Sequence, residues 1–188
     1  MLGIVLAAQL ASASVNPPPA AVRAVELTSQ LSLSGGLRCD QRGCPAAVFS
    51  LALRVDVLYR PGPRAWGIGP FLSTRTDNFA DIAPALGASL LVPVSESLPF
   101  VLSAGGAVRV DPAGVSGGPI ERVWWGARSY NFHTPYVLSL GVFAEARQLA
   151  IGANAGWDVV LGIDADLEFL AIPFMAIYTW AFRADHRR

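Results

Sequence analysis

The stretch WDVVLGIDADLEF, from Trp157 to Phe169, alternates strictly between two kinds of side chain. The odd-numbered positions are apolar, and most of the even-numbered positions are acidic, as in Asp158 and Asp164. Successive side chains of a β-strand point to opposite faces, so the stretch predicts a strand with one apolar and one acidic face. The 3.6-residue period of a helix does not fit it.

The same alternation restarts about eight times between Val25 and Phe169. The first run sets Val25 and Leu27 against Glu26, and the second covers Phe49–Tyr59. Further strands are predicted at Ala65–Arg75, Ile82–Val94, Phe100–Val110, Ile120–Tyr130 and Tyr136–Arg147. Together with the last run they predict an all-β fold, a closed antiparallel eight-stranded barrel over residues 25–169.

The composition favours a membrane environment. Hydrophobic residues make up 53% of the 188 residues, charged residues only 15%, and the mean hydropathy is +0.43. Beyond the N-terminus, no stretch resembles the ~20 apolar residues of a spanning helix. Because only helices and closed barrels satisfy every backbone group in hydrocarbon, a transmembrane barrel is predicted, with outer-membrane lipid against its apolar face.

A soluble lipocalin-like barrel, with its apolar face inside, is the alternative, since alternation alone does not say which face is outside. The polar face is mostly Gly, Ala and Ser with sparse charges. A water-facing surface is normally richer in Lys, Glu and Thr. Small residues suit the confined lumen of an eight-stranded barrel, so the membrane barrel is favoured.

Charged residues of the polar face are expected to pair inside the lumen, because buried charges persist only with partners. The predicted lumen charge network comprises Glu26, Arg54, Asp56, Arg75, Arg109, Arg128, Glu145, Arg147, Asp158, Asp164, Asp166 and Glu168. Such a network is either a structural plug of salt bridges or a narrow ion-conducting path gated by the pairs.

Aromatic residues gather where the predicted strands meet one membrane interface. The predicted girdle at the periplasmic strand ends comprises Tyr59, Trp66, Phe100, Tyr136 and Phe169. Phe49, Trp125 and Trp157 are predicted nearer the opposite end. Girdles of this kind mark the two interfaces of membrane barrels.

The predicted connections alternate between short and long. Short turns are expected at Pro61–Arg64, Ser95–Pro99 and Asn131–Pro135, and longer loops at Leu37–Pro45, Thr76–Asp81, Asp111–Pro119 and Gln148–Ala155. Outer-membrane barrels show this rhythm of periplasmic turns and outer loops, with both chain ends in the periplasm.

The two cysteines lie in the first of these loops, in the sequence CDQRGC from Cys39 to Cys44. In an oxidising compartment they are expected to form a disulfide. A structural zinc site needs four ligands, so no metal is predicted here. The sequence also lacks a phosphate loop and a basic patch, which predicts no cofactor and no nucleic-acid partner.

The two ends of the chain are predicted to lie outside the barrel. Residues 1–13 are apolar and close on Ala11-Ser12-Ala13, as a signal peptide does, and residues 14–24 form an extended lead-in. In the tail, residues 170–188, Pro173 is expected to open a short interfacial helix. Alternatively, the alternation continues as a strand to Phe182.

In its leader, alternating strands, girdle and loop rhythm, the chain resembles the small outer-membrane β-barrel proteins of Gram-negative bacteria over Val25–Phe169. No motif matches a characterised member of that group. The resemblance implies an outer-membrane location and folding by the barrel-assembly machinery. It favours a structural or surface-interaction role through the outer loops, with an unidentified surface ligand.

Some barrels of this group act on lipid A with a serine and a histidine. Here Ser129 lies four residues before His133, which is roughly 13 Å along a strand. His133 falls in a predicted periplasmic turn and His186 in the tail, away from the outer leaflet that holds lipid A. No catalytic residue is therefore predicted, and a lipid-acting enzyme is only an alternative.

Overall fold

The computed structural model describes residues 24–40, 43–129, 136–152 and 155–168. The predicted signal peptide, most of the lead-in and the tail at 170–188 lie outside the described residues. In the described part of the chain, no helix is long and apolar enough to cross a membrane.

The described residues form nine strands: β1 (Val25–Asp40), β2 (Gly43–Tyr59), β3 (Gly67–Asp77), β4 (Ala83–Val92), β5 (Phe100–Asp111), β6 (Gly114–Arg128), β7 (Ser139–Leu149), β8 (Ile151–Gly152) and β9 (Gly156–Asp166). β8 continues β7 and pairs with β6 at Ser116 and Gly117. The other eight strands pair antiparallel in the closed order β1-β2-β3-β4-β5-β6-β7-β9-β1. The predicted closed eight-stranded antiparallel barrel is confirmed.

The apolar face of the barrel points outward on every side. In β9, Leu161 is 66% exposed and Ile163 is 56% exposed, whereas the next residue, Asp164, is fully buried. The remaining long strands expose residues of the same kind, among them Val57, Leu72, Leu86, Leu102, Val123 and Val142. A continuous aliphatic wall of this size belongs against lipid, so the barrel is a transmembrane one and the soluble lipocalin-like alternative is wrong.

The lumen holds apolar side chains as well as charges, which the alternation alone did not reveal. Two clusters lie inside the wall: Leu58, Leu91, Val101, Trp124, Phe143 and Val160, and Phe71, Ala85, Ala107 and Ile120. Inward-facing glycines make room for the rings. A Cβ on Gly141 would lie 2.6 Å from Cζ2 of Trp124, and one on Gly87 would lie 2.7 Å from Cε1 of Phe71. Large and small residues thus alternate across the lumen.

The predicted rhythm of loops is wrong. At the end of the barrel that carries the β1–β2 turn, here called the hairpin end, the connections span only residues 41–42, 78–82, 112–113 and 153–155. At the opposite end, the terminal end, they span 60–66, 93–99 and 129–138. The predicted loops are absorbed into strands because backbone pairing continues to Asp40 opposite Gly43 and to Asp111 opposite Gly114. Such pairing needs no apolar alternation, and the segments show none.

The β1–β2 hairpin extends beyond the neighbouring strand β3, while β1 stays paired with β9 up to Asp40. β2 pairs with β3 only from Ser50, opposite Asp77, so no described strand lies beside residues 43–48 on that side. A transmembrane strand needs about 9–11 residues, and β1 and β2 have 16 and 17. Residues 36–40 and 43–49 are here called the projecting hairpin, because the β2 side of this segment extends beyond β3. The predicted Cys39–Cys44 disulfide is formed at its tip.

The aromatic residues at the terminal end differ in part from the predicted girdle. Tyr59, Trp66 and Phe100 are exposed on the outer wall. Trp125 lies directly opposite Phe100 and stacks on it with ring centroids 6.1 Å apart, so its predicted place near the other end is wrong. The reason is that β6 begins at Gly114 rather than at residue 120, which puts Trp125 close to its last residue.

Tyr136 is anchored rather than free in the girdle. Its hydroxyl donates a hydrogen bond to a carboxylate oxygen of Asp166 and forms a second hydrogen bond with the Ser29 hydroxyl. The oxygen–oxygen distance is 2.5 Å in both. The neighbouring Val137 N–H donates to the Leu27 carbonyl, so this segment occupies the place beside β1 beyond the end of β9. Phe169, the last residue of the predicted girdle, lies outside the described residues.

Candidate functional site in the lumen and at the hairpin end

The structure places most of the predicted charge network inside the barrel. The buried members are Glu26, Arg54, Asp56, Arg75, Arg109, Arg128, Glu145, Arg147, Asp158, Asp164 and Asp166. Glu168 is exposed, and its prediction is wrong because β9 ends at Asp166 and the alternation of faces ends with it. The backbone N–H of Glu168 instead donates to the Asp166 carboxylate.

Five further charged residues complete the network, namely Arg38, Arg60, Asp77, Asp81 and Arg122. Two of them could have been predicted from the same two-residue alternation. Arg122 lies three steps of two residues before Arg128, and Asp77 lies one such step after Arg75. A strand limit drawn too short concealed Asp77, because the predicted strand ended at Arg75 and β3 continues to Asp77, whereas Arg60 lies just beyond the end of β2, outside the alternating stretch.

The charges of the hairpin half are organised around Arg75 of β3. Its guanidinium contacts carboxylate oxygens of Asp77 at 2.9 Å, Glu145 at 2.9 Å and Asp158 at 2.8 Å. Glu145 of β7 in turn pairs with Arg147 at 2.9 Å and with Arg122 at 3.3 Å. Ion pairs therefore join β3 across the lumen to β7 and β9, which are distant from it in sequence, and join β7 to β6.

Above this cluster, Arg38 closes the lumen toward the hairpin end. It pairs with Asp77, with Asp81 at 3.3 Å and with Asp158 at 3.9 Å. Asp81 lies in the β3–β4 connection. Burial raises its pKa above the ordinary aspartate value, although the Asp77 N–H donates to its carboxylate and opposes the shift.

A second cluster fills the terminal half. Arg54 of β2 binds Asp56 with two nitrogens, over 2.7 and 2.8 Å, and donates to the hydroxyls of Ser89 and Ser103. Its guanidinium carbon also lies 4.1 Å from the ring centroid of Phe71, within the range of a cation–π contact. Two other buried arginines of this half form ion pairs with Glu26 of β1. They are Arg60, at 3.2 Å, and Arg128, at 3.3 Å.

The charges of the lumen nearly balance. Among the described residues, seven arginines and eight carboxylates are buried. Within that part of the chain, no group of His, Cys, Asp and Glu side chains has the arrangement of a metal site. Chemically, the arrangement is a packed lattice of charge-assisted hydrogen bonds, which are the stronger kind in proteins.

The serine considered for catalysis has a structural contact. The Ser129 hydroxyl accepts a hydrogen bond from the Leu138 N–H over 3.0 Å and so fixes the connection from β6 to β7. His133 and His186 lie outside the described residues.

No protein-family model and no curated protein sequence matches this chain. Among solved structures, Neisserial surface protein A is 14% identical and aligns over 75% of this chain and 97% of its own, with a TM-score of 0.45. The attachment invasion locus protein Ail of Yersinia pestis, solved with the heparin analogue sucrose octasulfate, is 10% identical over 76% of this chain and 98% of its own, with a TM-score of 0.42. A de novo designed transmembrane β-barrel is 13% identical over 74% and 94%, with a TM-score of 0.42.

Proposed function

We propose that this chain is an outer-membrane barrel of a Gram-negative bacterium that presents its projecting hairpin outside the cell as an interaction element. The observation that carries the proposal is the edge of β2 over residues 43–48, which has no partner strand among the described residues on the side of β3. A free strand edge exposes N–H and C=O groups on which an extended segment of another protein can pair.

The chemistry of the hairpin supports this use. Residues 43–47 are exposed, and the segment from Pro45 to Val48 carries no charge. Asn78 forms the last hydrogen bonds along this side of β2. Its backbone N–H donates to the Phe49 carbonyl at 2.8 Å, and its side-chain oxygen accepts a hydrogen bond from the Phe49 N–H at 3.0 Å. The open edge thus begins just above Phe49, and the disulfide holds it in shape. The partner is a surface ligand of unidentified structure.

Selective labelling tests the display and the orientation together. In a Cys39→Ser/Cys44→Ser background, a new thiol is introduced either in the hairpin as Ala46→Cys or in the terminal-end turn as Ser97→Cys. We expect a membrane-impermeant maleimide to label only the hairpin variant on intact cells, and both variants after lysis. Labelling of the Ser97→Cys variant alone on intact cells would reverse the orientation and overturn the proposal.

Location is tested by fractionation. We expect the protein in the outer-membrane fraction, with a gel mobility that changes on heating, after folding by the barrel-assembly machinery. Recovery in the inner membrane or in the soluble periplasm would contradict the proposed location.

Within this proposal the lumen is a structural plug rather than a conducting path. The support is that its charges are buried and paired, and that apolar side chains such as Leu91 and Trp124 lie between them. The reconstituted barrel is expected to give no stepwise conductance in a planar bilayer. Discrete single-channel steps that change in the Arg109→Ala or Asp164→Ala variant would favour the narrow channel instead.

The proposal also assigns no catalytic activity to the barrel. Its support is the use of the Ser129 hydroxyl in a backbone contact. Mass analysis of lipid A with and without expression is expected to show the same acyl composition, and a lost or transferred acyl chain would revive the enzyme alternative.

A further inference from the structure

One charged side chain lies on the lipid-facing wall of the barrel. Glu121 of β6 points outward, between Ile120 and Arg122, which are both buried in the lumen. Among the strand residues that the structure describes, Glu121 is the only charged one that is exposed. No ion pair or hydrogen bond joins its side chain to another described residue. The aliphatic wall is therefore interrupted by a carboxyl group that has no partner in the described part of the chain.

Glu121 lies near the middle of the membrane. Trp125, four residues closer to the terminal end on the same strand, stacks on Phe100, and these two rings mark one membrane interface. Four residues span about 13 Å along a strand, which is about 10 Å of depth at a strand tilt of about 40°. The apolar band of such barrels is only about 25 Å tall. A charged residue at this depth is unfavourable against lipid, and in membrane proteins such residues pair with a partner or mark a functional site.

The stagger of the barrel decides which residues share this depth. The row of paired residues through Ile120 reaches β2 at Asp56 by way of β5, β4 and β3, and at Ala46 by way of β7, β9 and β1. Ala46 is ten positions closer to the hairpin end than Asp56. Each step along a row from β5 toward β7 therefore rises by about 3 Å toward the hairpin end, and two residues along a strand change the depth by about 5 Å.

Four small residues flank Glu121 at nearly its own depth. Ala104 of β5 and Ala146 of β7 lie directly opposite it. Gly106 follows Ala104 by two residues and Ala144 precedes Ala146 by two, which puts both within about 2 Å of the depth of Glu121. All four are exposed, and shallow depressions lie on both sides of Glu121. The convex wall is thus flattened here, which lets another protein wall approach closely.

The arrangement of this band selects a second copy of the chain as the partner. Two copies in one membrane have the same orientation, so a two-fold axis between them runs along the membrane normal and each residue meets residues at its own depth. With the axis at Glu121, the small residues of β5 lie across from the small residues of β7 in the second copy. Small residues therefore meet small residues on both sides of the axis.

The carboxyl groups are complementary to each other in this setting. Lipid tails offer no hydrogen-bonding group at this depth, whereas a second copy brings the same carboxyl group to it. A neutral carboxyl both donates and accepts a hydrogen bond, and acids in apolar surroundings take this form in place of an isolated charge. Two such groups at a two-fold axis satisfy each other.

We propose that this chain forms a dimer in the membrane, in which the Glu121 carboxyls of two copies hydrogen-bond to each other between the small residues of β5 and β7. The surface does not include the projecting hairpin, so the dimer is independent of any partner that binds there.

Cross-linking tests the position of the axis. Gln148 follows Ala146 by two residues and is exposed, and the stagger places it almost straight above Glu121, about 8 Å closer to the hairpin end. In a Cys39→Ser/Cys44→Ser background, Gln148→Cys is expected to give disulfide-linked dimers when oxidised with copper phenanthroline in phosphatidylcholine vesicles. Leu53→Cys, exposed on β2 at the opposite side of the barrel, is the matched control and should stay monomeric. Equal linkage in the two variants, or none in either, overturns the proposal.

Substitution of Glu121 tests the hydrogen bonds. Energy transfer between donor- and acceptor-labelled chains, labelled through Ser97→Cys in the same background, measures the dimer affinity as the vesicles are diluted with lipid. Glu121→Leu suits the lipid face, so it should fold, and we expect it to weaken the dimer by roughly tenfold or more. Glu121→Gln keeps a donor and an acceptor and should dimerise as the unmodified chain does. A monomer at every protein-to-lipid ratio, or a dimer that Glu121→Leu leaves equally tight, overturns the proposal.

A bulky side chain tests the close approach while leaving Glu121 in place. Ala104→Phe is expected to abolish the energy transfer, because its ring fills the flattened wall. Val55→Phe, exposed on β2 at the opposite side, is the matched control and should keep it. Equal energy transfer in the two variants would mean that the copies meet elsewhere and would overturn the proposal.

Discussion

Single inward-facing residues set the packing of the lumen. Gly141 of β7 faces the ring of Trp124, and the position where its Cβ would lie is 2.6 Å both from Cζ2 of that ring and from the Trp125 carbonyl oxygen. Contacts this short leave no space for a methyl group unless the ring or the strand moves. Glycine is thus required here by the neighbouring strand rather than by the backbone conformation.

We expect Gly141→Ala to lower the free energy of unfolding by about 1–3 kcal/mol, the usual effect of overpacking. Gly106→Ala is the matched control, because a Cβ on Gly106 meets no atom within 4 Å and the residue is exposed on the outer wall. Reversible denaturant unfolding in lipid measures both. Equal stability of the two variants would contradict the tight packing against Trp124.

On the outer wall, the depth of a residue in the membrane decides what a charge there costs. Leu161 lies at the middle of β9, whereas Leu140 is the second residue of β7. We expect Leu161→Arg to lower the free energy of unfolding in lipid by about 2–4 kcal/mol, and Leu140→Arg by only ~0–1 kcal/mol near the interface. If both variants were as stable as the unmodified chain, the outward assignment of the apolar face would be wrong.

At the scale of elements, the β1–β2 hairpin combines two environments in one continuous ladder. Its lower part is membrane wall, paired on both sides, and its upper part is paired by β9 on the side of β1 alone. The disulfide Cys39–Cys44 closes a loop with a sequence separation of 5 at the tip. A link this short restrains the tip without tying together distant parts of the barrel.

Removal of the disulfide in Cys39→Ser/Cys44→Ser is therefore expected to act locally. The chain-entropy estimate for so short a loop is about 2 kcal/mol, which should raise trypsin cleavage after Arg42 by roughly tenfold or more. Cleavage after Arg64, in the connection at the terminal end, is the internal control and should not change. Unaltered cleavage at the tip would show that strand pairing alone holds it.

A separate result would refute the disulfide itself. The chain contains two cysteines, and both should resist alkylation under denaturing, non-reducing conditions. Recovery of both as alkylated thiols, with equal gel mobility with and without reductant, is the contrary outcome.

At the scale of the whole molecule, the ion pairs join strands that the sequence separates widely. Glu145 meets Arg75, seventy positions away, as well as Arg122 and Arg147. A single carboxylate thus compensates three buried arginines in the hairpin half. Because buried charges depend on their partners, this residue is central to the stability of the barrel.

Glu145→Gln is expected to lower the free energy of unfolding by about 3–5 kcal/mol, since it leaves buried arginines without part of their compensation. Glu96→Gln is the matched control, because Glu96 forms an exposed ion pair with Arg64, where a change of ~0–1 kcal/mol is expected. Denaturant unfolding of both variants in the same lipid makes the comparison. A similar small change in both would mean that the lumen charges are hydrated rather than buried.

The two-residue alternation was enough to predict the strands, their number and which face is apolar, because side-chain direction along a strand is a local property. The inward position of Arg54 or Asp164 follows from it directly. The strand ends did not follow, since Gly114–Pro119 carries no alternation and is held by backbone pairing to β5. For the same reason Trp125 was placed at the wrong end and Glu168 on the wrong face.

By itself, the sequence determined an antiparallel membrane barrel with a charged lumen and a disulfide at its first hairpin. Only the tertiary structure decided which charges meet, as with Arg75 and Glu145, and which rings fill the space left by Gly141. It also decided that the first hairpin projects beyond β3. The physical reason is that strand faces depend on neighbours along the chain, whereas ion pairs, packing and register depend on residues that only barrel closure brings together.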